Sequence, residues 1–417
     1  MTSANASTVV TSTPRAEPRR VLVLTPLPPR LDARHGLKAT AQLLLRLAER
    51  NEIGLLTLVP SGQNGVDPAI AARCRCVEEV PLPNPGGAFS RRLVWSVGVL
   101  RGLPPWATDC RSAEYRTVLG RLLDVWRPHV VEVHTQAMAQ YSDALRRKDV
   151  ATILVDHDPG SAGVGDVART MRGPLRLSRQ IEAAVWRRYE RVTRPRFDAI
   201  VVFSTRDAAV VAPTARPSSV VRIPLAVELP AQPMASRGSE PPTVLFVGAF
   251  THAPNVDAAI RLAREIFPRV LKRVPEARLD LVGDQPTSDV RNLPGGAVSV
   301  HSSVRDVSPF LDRAAVVVAP IRVGGGARLK VLEAFAAGKA LVASPRAVEG
   351  VDAAPGEHFL LATDDEEFVE TVASLLRDPE RRQELAESAR AWAEHNLSWS
   401  ARVEAFEALY DSLARRE

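Results

Sequence analysis

Short runs of valine, leucine and isoleucine alternate with helical stretches along all 417 residues. Six runs fall in the first half, at 20–25, 53–59, 77–82, 130–134, 152–156 and 199–204. Six more fall in the second, at 244–247, 278–282, 298–301, 316–320, 340–344 and 359–362. Strands this continuously apolar bury both faces, which requires a parallel sheet covered by helices on each side. Two such sets predict an α/β chain of two doubly wound, Rossmann-like domains facing a central cleft. The stretch 229–242 is rich in proline, serine and glycine and has no apolar period, so it reads as a linker. The chain divides into a disordered lead over 1–19, a first domain over 20–228, the linker, a second domain over 243–396 and an amphipathic helix over 397–417. Helices are also predicted over 36–50, with a leucine stripe, and over 181–193.

Composition narrows the class. Hydrophobic residues make up 45% and charged residues 24% of the chain, as in globular proteins. No run reaches the roughly 18 apolar residues of a membrane span. The lead lacks the apolar core of a secretory signal, so a cytoplasmic protein is expected. Three cysteines, Cys74, Cys76 and Cys110, imply no disulfide framework. The net charge is +6 and nearly all of the basic residues are arginine; lysine occurs only at 38, 148, 272, 330 and 339. No zinc finger, basic zipper or aromatic-studded strand points to nucleic acid.

The most informative segment is 319–343. A buried strand runs into Gly324, Gly325 and Gly326, then a helix, then another buried strand. Glycines there let the backbone approach something bulky and anionic, and a helix start holds a phosphate with its unpaired N–H groups. Arg328 and Lys330 in the first turn oppose the helix dipole, and a diphosphate in front of them would account for both. Glu333 lies in an otherwise apolar helical run and needs a partner, for which ribose hydroxyls serve. The plainer alternative is a turn followed by a Glu333–Lys330 pair. In the first domain His134 ends the run 130–134, where open α/β sheets place ligands; it is a ligand-facing histidine or a strand cap. Asp156, His157 and Asp158 end the next run and compete for that role. A lone histidine between two aspartates is weak evidence for a metal, and none is assigned.

The order of elements resembles the GT-B glycosyltransferases, closest to the large retaining family that takes sugars from nucleotide diphosphates (family 4, group 1-like) and to a branch linked to bacterial exopolysaccharide assembly. Four motifs carry the likeness in the second half. Residues 246–255, with Gly248, are similar to the strand and loop opening the donor domain, and Asn255 to that branch's Pro-Asn. Residues 304–311 resemble the segment near the nucleotide base, which implies base recognition around Arg305. Residues 332–339 resemble the central signature, and 398–399 with the final helix resemble a tail packing back on the first domain. Residues 28–36, with His35 and Gly36, are similar to the acceptor-side loop.

The resemblance implies a hexosyltransferase moving sugar from a UDP- or GDP-type donor to a saccharide, lipid-linked or small-molecule acceptor, with retention, without metal and without a cofactor. It implies Arg328, Lys330 and His134 as catalytic residues and Gly248, the glycine triplet, Glu333 and Arg305 as donor-binding. His35, Gly36, His157, Asn255 and Glu349 rank below them. The chain departs from the family at three places. The first of two glutamates spaced eight apart is Gly325, a frequent arginine is Ala249, and a following lysine is missing; Glu349 is a candidate stand-in for the acid.

Two other readings keep the same shape: a nucleotide-sugar epimerase or hydrolase, and a non-catalytic nucleotide- or glycan-binding partner subunit. A nicotinamide oxidoreductase is excluded, because the first strand leads into Thr25-Pro-Leu-Pro-Pro-Arg30 rather than a Gly-x-Gly-x-x-Gly turn. Two arginine- and aromatic-containing stretches, 91–95 with Trp106 and 186–191, could face a lipid-linked acceptor and give peripheral contact with the inner face of the membrane; solvated amphipathic helices are the simpler reading.

Overall fold

The computed structural model describes residues 18–32, 36–84, 86–146, 150–235, 238, 240–293, 295–304, 306–324 and 329–414. The first sheet contains β1 (Arg20–Thr25), β2 (Glu52–Val59), β3 (Cys76–Pro81), β4 (Val130–His134), β5 (Ala151–Val155), β6 (Ala199–Val202) and β7 (Ser219–Arg222). Its order is β3-β2-β1-β4-β5-β6-β7, and every neighbouring pair is parallel. The second sheet holds β8 (Thr243–Val247), β9 (Arg278–Val282), β10 (Val298–His301), β11 (Ala314–Ala319), β12 (Leu341–Ala343) and β13 (Leu360–Leu361). Its order is β10-β9-β8-β11-β12-β13, again parallel throughout. The α/β class is therefore the one the apolar runs predict.

Two elements differ from the sequence reading. β7 was not among the expected strands; its four residues are half-buried or exposed on the sheet edge, so the apolar signal is weak. The helix expected over 181–193 begins earlier and spans Gly173–Thr193, with a proline in its first turn, where a missing N–H costs nothing.

The cores follow the layers. One face of the first sheet packs Leu22, Leu56 and Val131 against Tyr115, Trp186 and Tyr189. The other packs Val21, Val23 and Ile53 against Leu43 and Leu44, and also against Val403, Phe406, Leu409, Tyr410 and Leu413 of the terminal helix Trp399–Ala414. That helix thus supplies core to the first sheet although it follows the second domain. Ion pairs also join the domains. Asp166 of the first domain pairs with Arg346 of the second, Arg206 lies 3.1 Å from Glu349, and Arg222 lies 2.5 Å from Asp352.

Candidate functional site

In each sheet the strand order reverses beside the first strand, between β1 and β4 and between β8 and β11. Ligands of open α/β sheets bind at such points, beyond the C-terminal strand ends. A cleft of about 530 Å³ opens there between the domains. Lys38, Ala39 and Gln42 of the helix Gly36–Leu47 form one wall, while Gly248, Gly283 and Glu333 contribute to the other.

Close backbone packing shapes the second-domain wall. A Cβ on Gly283 would lie 1.8 Å from the Gly248 carbonyl oxygen, and one on Gly248 would lie 2.8 Å from Asn255 Cγ. Only glycine fits at either place. Asn255 Nδ2 donates to the Ala249 carbonyl at 2.8 Å, and its Oδ1 accepts from Lys330 Nζ at 2.6 Å. The Lys330 ammonium also lies 4.8 Å from the centre of the Phe246 ring. The lysine of the glycine-loop helix is therefore held against the loop after β8. Burial, then the Lys330 charge, lowers the pKa of nearby His252. Gly324 adopts φ +93°, and a Cβ there would meet Pro254 at 2.7 Å, so the glycine loop begins packed on the same segment.

Glu333 sits on the helix Leu329–Ala336, half-buried at the cleft. Desolvation raises its pKa to about 7, against the opposing pull of Lys38 and then Lys330. Among the described residues no hydrogen bond reaches its carboxylate. Lys38 of the opposite domain lines the same cleft. Lys38 is the residue that sequence reasoning passed over. Its signal was rarity: a lysine in an arginine-rich chain, at the start of the helix after β1. Asp306, also at the cleft, is held below the usual carboxylate range by the Ser308 backbone N–H, which donates to it at 2.9 Å.

Other candidates are placed differently. Arg305, Gly325, Gly326, Arg328 and His35 lie outside the described residues; Gly36 opens the first-domain helix. His134 is buried behind the cleft rather than lining it. Its Nε2 is 3.2 Å from Glu132 Oε2 and its Nδ1 is 3.2 Å from His157 Nε2, while the Tyr410 hydroxyl donates to Glu132 Oε1. The physical reason is strand geometry: residues two apart share a face, so His134 turns toward Glu132 and the terminal helix. Burial and then His134 lower the pKa of His157 to about 3, so its ring stays neutral at working pH. Asp156 accepts from Arg194 at 3.0 Å in the first-domain interior. Glu349 pairs with Arg206 and, at 2.7 Å, with Arg346, away from the cleft that Glu333 lines.

Two doubly wound domains with their switch points facing one cleft define the GT-B architecture. Residues 241–378 are similar to the family model of the Glycosyl transferases group 1. An uncharacterized 44.6 kDa protein in the cps region of Klebsiella pneumoniae is 24% identical over 162 residues, 37% of this chain and 42% of that protein. The match thus spans less than half the length of that curated relative. Sucrose-phosphate synthase from Thermosynechococcus elongatus superposes with TM-score 0.71 at 17% identity, over 96% of this chain and 100% of that one. Anabaena HepE in complex with UDP and glucose superposes with TM-score 0.62 at 12% identity, over 95% and 100% of the two chains. An E. coli trehalose-6-phosphate protein bound with UDP-2-fluoro glucose gives TM-score 0.62 at 12% identity, over 94% and 98%. These likenesses establish the fold.

Proposed function

We propose that this chain transfers a sugar from a nucleotide diphosphate donor to an acceptor hydroxyl. The observation that carries the reading is Glu333: a carboxylate without a hydrogen-bond partner among the described residues, at an interdomain cleft and opposite Lys38. Two ribose hydroxyls donating to it would repay its desolvation. The nucleotide then lies over Gly248 and Gly283, where the absence of side chains gives backbone access. Its diphosphate points toward the glycine loop, within reach of Lys330 and, by sequence position, Arg328. Transfer needs the leaving diphosphate to be stabilised as its charge grows, and preformed cations and amides do this best. Arg328 grips phosphate oxygens as a fork and Lys330 supplies a point charge held in place by Asn255. His134 is assigned to fixing the first-domain wall through His157 rather than to touching the donor.

The two UDP-bearing structural neighbours support a UDP-type donor, and the cps-region relative supports a role in surface polysaccharide assembly; a GDP-type donor is part of the same proposal. Retention, metal independence and the lack of a cofactor belong to the same proposal. So does a cytoplasmic site of action, at the inner membrane face if the acceptor is lipid-linked. The test is transfer of labelled sugar from UDP and GDP donors to saccharide and polyprenyl-linked acceptors. Product formed by the wild type, and reduced on the order of a hundredfold in kcat by Arg328→Ala, supports the reading. Hydrolysis or epimerisation of donor, with no transfer to any acceptor, overturns it.

A further inference from the structure

Ten of the twelve large apolar side chains exposed among the described residues lie on three helices of the first domain: Ala88–Leu100, Pro105–Asp109 and Gly173–Thr193. On the first of these, Phe89 is 82% exposed, Leu93 59% and Leu100 87%. On the long helix, Leu175 is 70%, Leu177 59% and Ile181 50% exposed. Scattered exposed leucines need no explanation, but concentration on one part of a surface does.

The helices adjoin. The short one and the long one both pack on the turn after β4: Gln140 Nε2 donates to the Ala107 carbonyl at 2.6 Å, and the Tyr189 hydroxyl donates to the Ala137 carbonyl at 3.5 Å. Just past the first helix, a Cβ on Gly102 would lie 3.7 Å from Arg188 Nε of the long helix. That turn lies at the C-terminal edge of the first sheet, the edge that also carries the cleft-facing helix.

Charge decides what covers this surface. Residues 88–101 and 172–193 hold nine arginines and two glutamates. Glu190 is buried, 3.3 Å from Arg194, and Glu182 is 2.6 Å from Arg179. Arg92, Arg101, Arg172, Arg176, Arg187, Arg188 and Arg191 are exposed, with no carboxylate partner among the described residues. A protein partner or a second copy burying this face would have to desolvate that charge. An anionic bilayer accepts apolar side chains at its interface and keeps arginine heads among lipid phosphates. No helix of the described residues is long and apolar enough to cross a membrane, so the contact is interfacial.

We propose that this face docks the protein on an anionic membrane surface, with Phe89, Leu93, Leu100, Leu177 and Ile181 inserting and the arginines binding lipid phosphates. The proposal deepens the reading of an enzyme at the inner membrane face, and rests on it only for the purpose of docking.

The test is co-sedimentation of the full chain with phosphatidylglycerol–phosphatidylcholine vesicles and with phosphatidylcholine vesicles, across a salt series. Nucleotide binding is followed by thermal shift in the same preparations. Binding is expected to the anionic vesicles alone and to weaken with salt. The quadruple variant Arg92→Gln, Arg101→Gln, Arg176→Gln, Arg187→Gln should lower partitioning on the order of a hundredfold. The triple variant Phe89→Ser, Leu93→Ser, Leu177→Ser should abolish it, with the nucleotide-induced shift unchanged in both. No vesicle binding, equal binding to the two lipids, or a concentration-dependent dimer that the triple variant dissolves would overturn the proposal. Loss of nucleotide binding in the wild type would instead count against the sugar-transfer reading and leave the vesicle result legible.

Discussion

In the proposed reading Glu333 accepts from the nucleotide's ribose, and its elevated pKa gives that reading a pH signature. Burial raises the pKa of this carboxyl to about 7. A ribose donating to the carboxylate would favour its ionised form, so in the proposed complex binding depresses the pKa and releases a proton. Nucleotide affinity should therefore rise between about pH 6 and about pH 8, with proton release detectable as a buffer-dependent heat. Glu333→Gln, which cannot ionise, should bind more weakly above pH 7 and lose this slope; an unchanged slope would assign the proton to another group. Asn255 is the neighbouring control. Asn255→Ala removes the acceptor at 2.6 Å from Lys330 Nζ and should lower kcat by roughly tenfold, since it loosens a positioning hydrogen bond to a charged group. The place of Glu333 at the cleft was legible in sequence, because it is an acid in an apolar helix that follows a glycine loop; Gly325, Gly326 and Arg328 lie outside the described residues. Lys38 was not, since its relation to Glu333 exists only once two domains face each other. His134 was legible as a strand end, but not its direction, because Tyr410 comes from a helix nearly the whole chain away.

At the scale of elements, the second-domain wall depends on two strand ends meeting without side chains. Gly283→Ala places a carbon on the Gly248 carbonyl, which is backbone and cannot swing aside. The expected cost is about 2–3 kcal/mol in chemical denaturation, together with loss of nucleotide binding. The terminal helix makes a second prediction. Tyr410→Phe leaves buried Glu132 without its hydroxyl donor and should cost about 1–3 kcal/mol. A variant as stable as the wild type would mean that water replaces the hydroxyl. The strands were readable because parallel sheets demand unbroken apolar runs, and twelve of the thirteen announced themselves so. β7 did not: its residues are only half-buried or exposed, and its pairing with β6 follows from position, not from composition.

For the whole molecule, the ion pairs between domains bear on how the cleft closes. Asp166 faces Arg346, and Arg206 faces Glu349, while a Cβ on Gly350 would fall 2.5 Å from Ser204 Cβ. Exchanging Arg346 for glutamate sets three acids against each other at this contact. Arg346→Glu should increase the radius of gyration in small-angle scattering and weaken donor binding severalfold, and high salt should shift the wild type the same way. Identical scattering curves would show that the closed arrangement does not depend on these charges.

In the proposed complex a nucleotide diphosphate occupies the cleft between the domains with its ribose on Glu333. Calorimetric titration of UDP and GDP into the wild type and Glu333→Ala tests it most directly. The wild type should bind one of them, and the variant should bind it more weakly by roughly tenfold to a hundredfold, the worth of hydrogen bonds to a charged group. Undiminished affinity in the variant, or no binding of either nucleotide to the wild type, would contradict it.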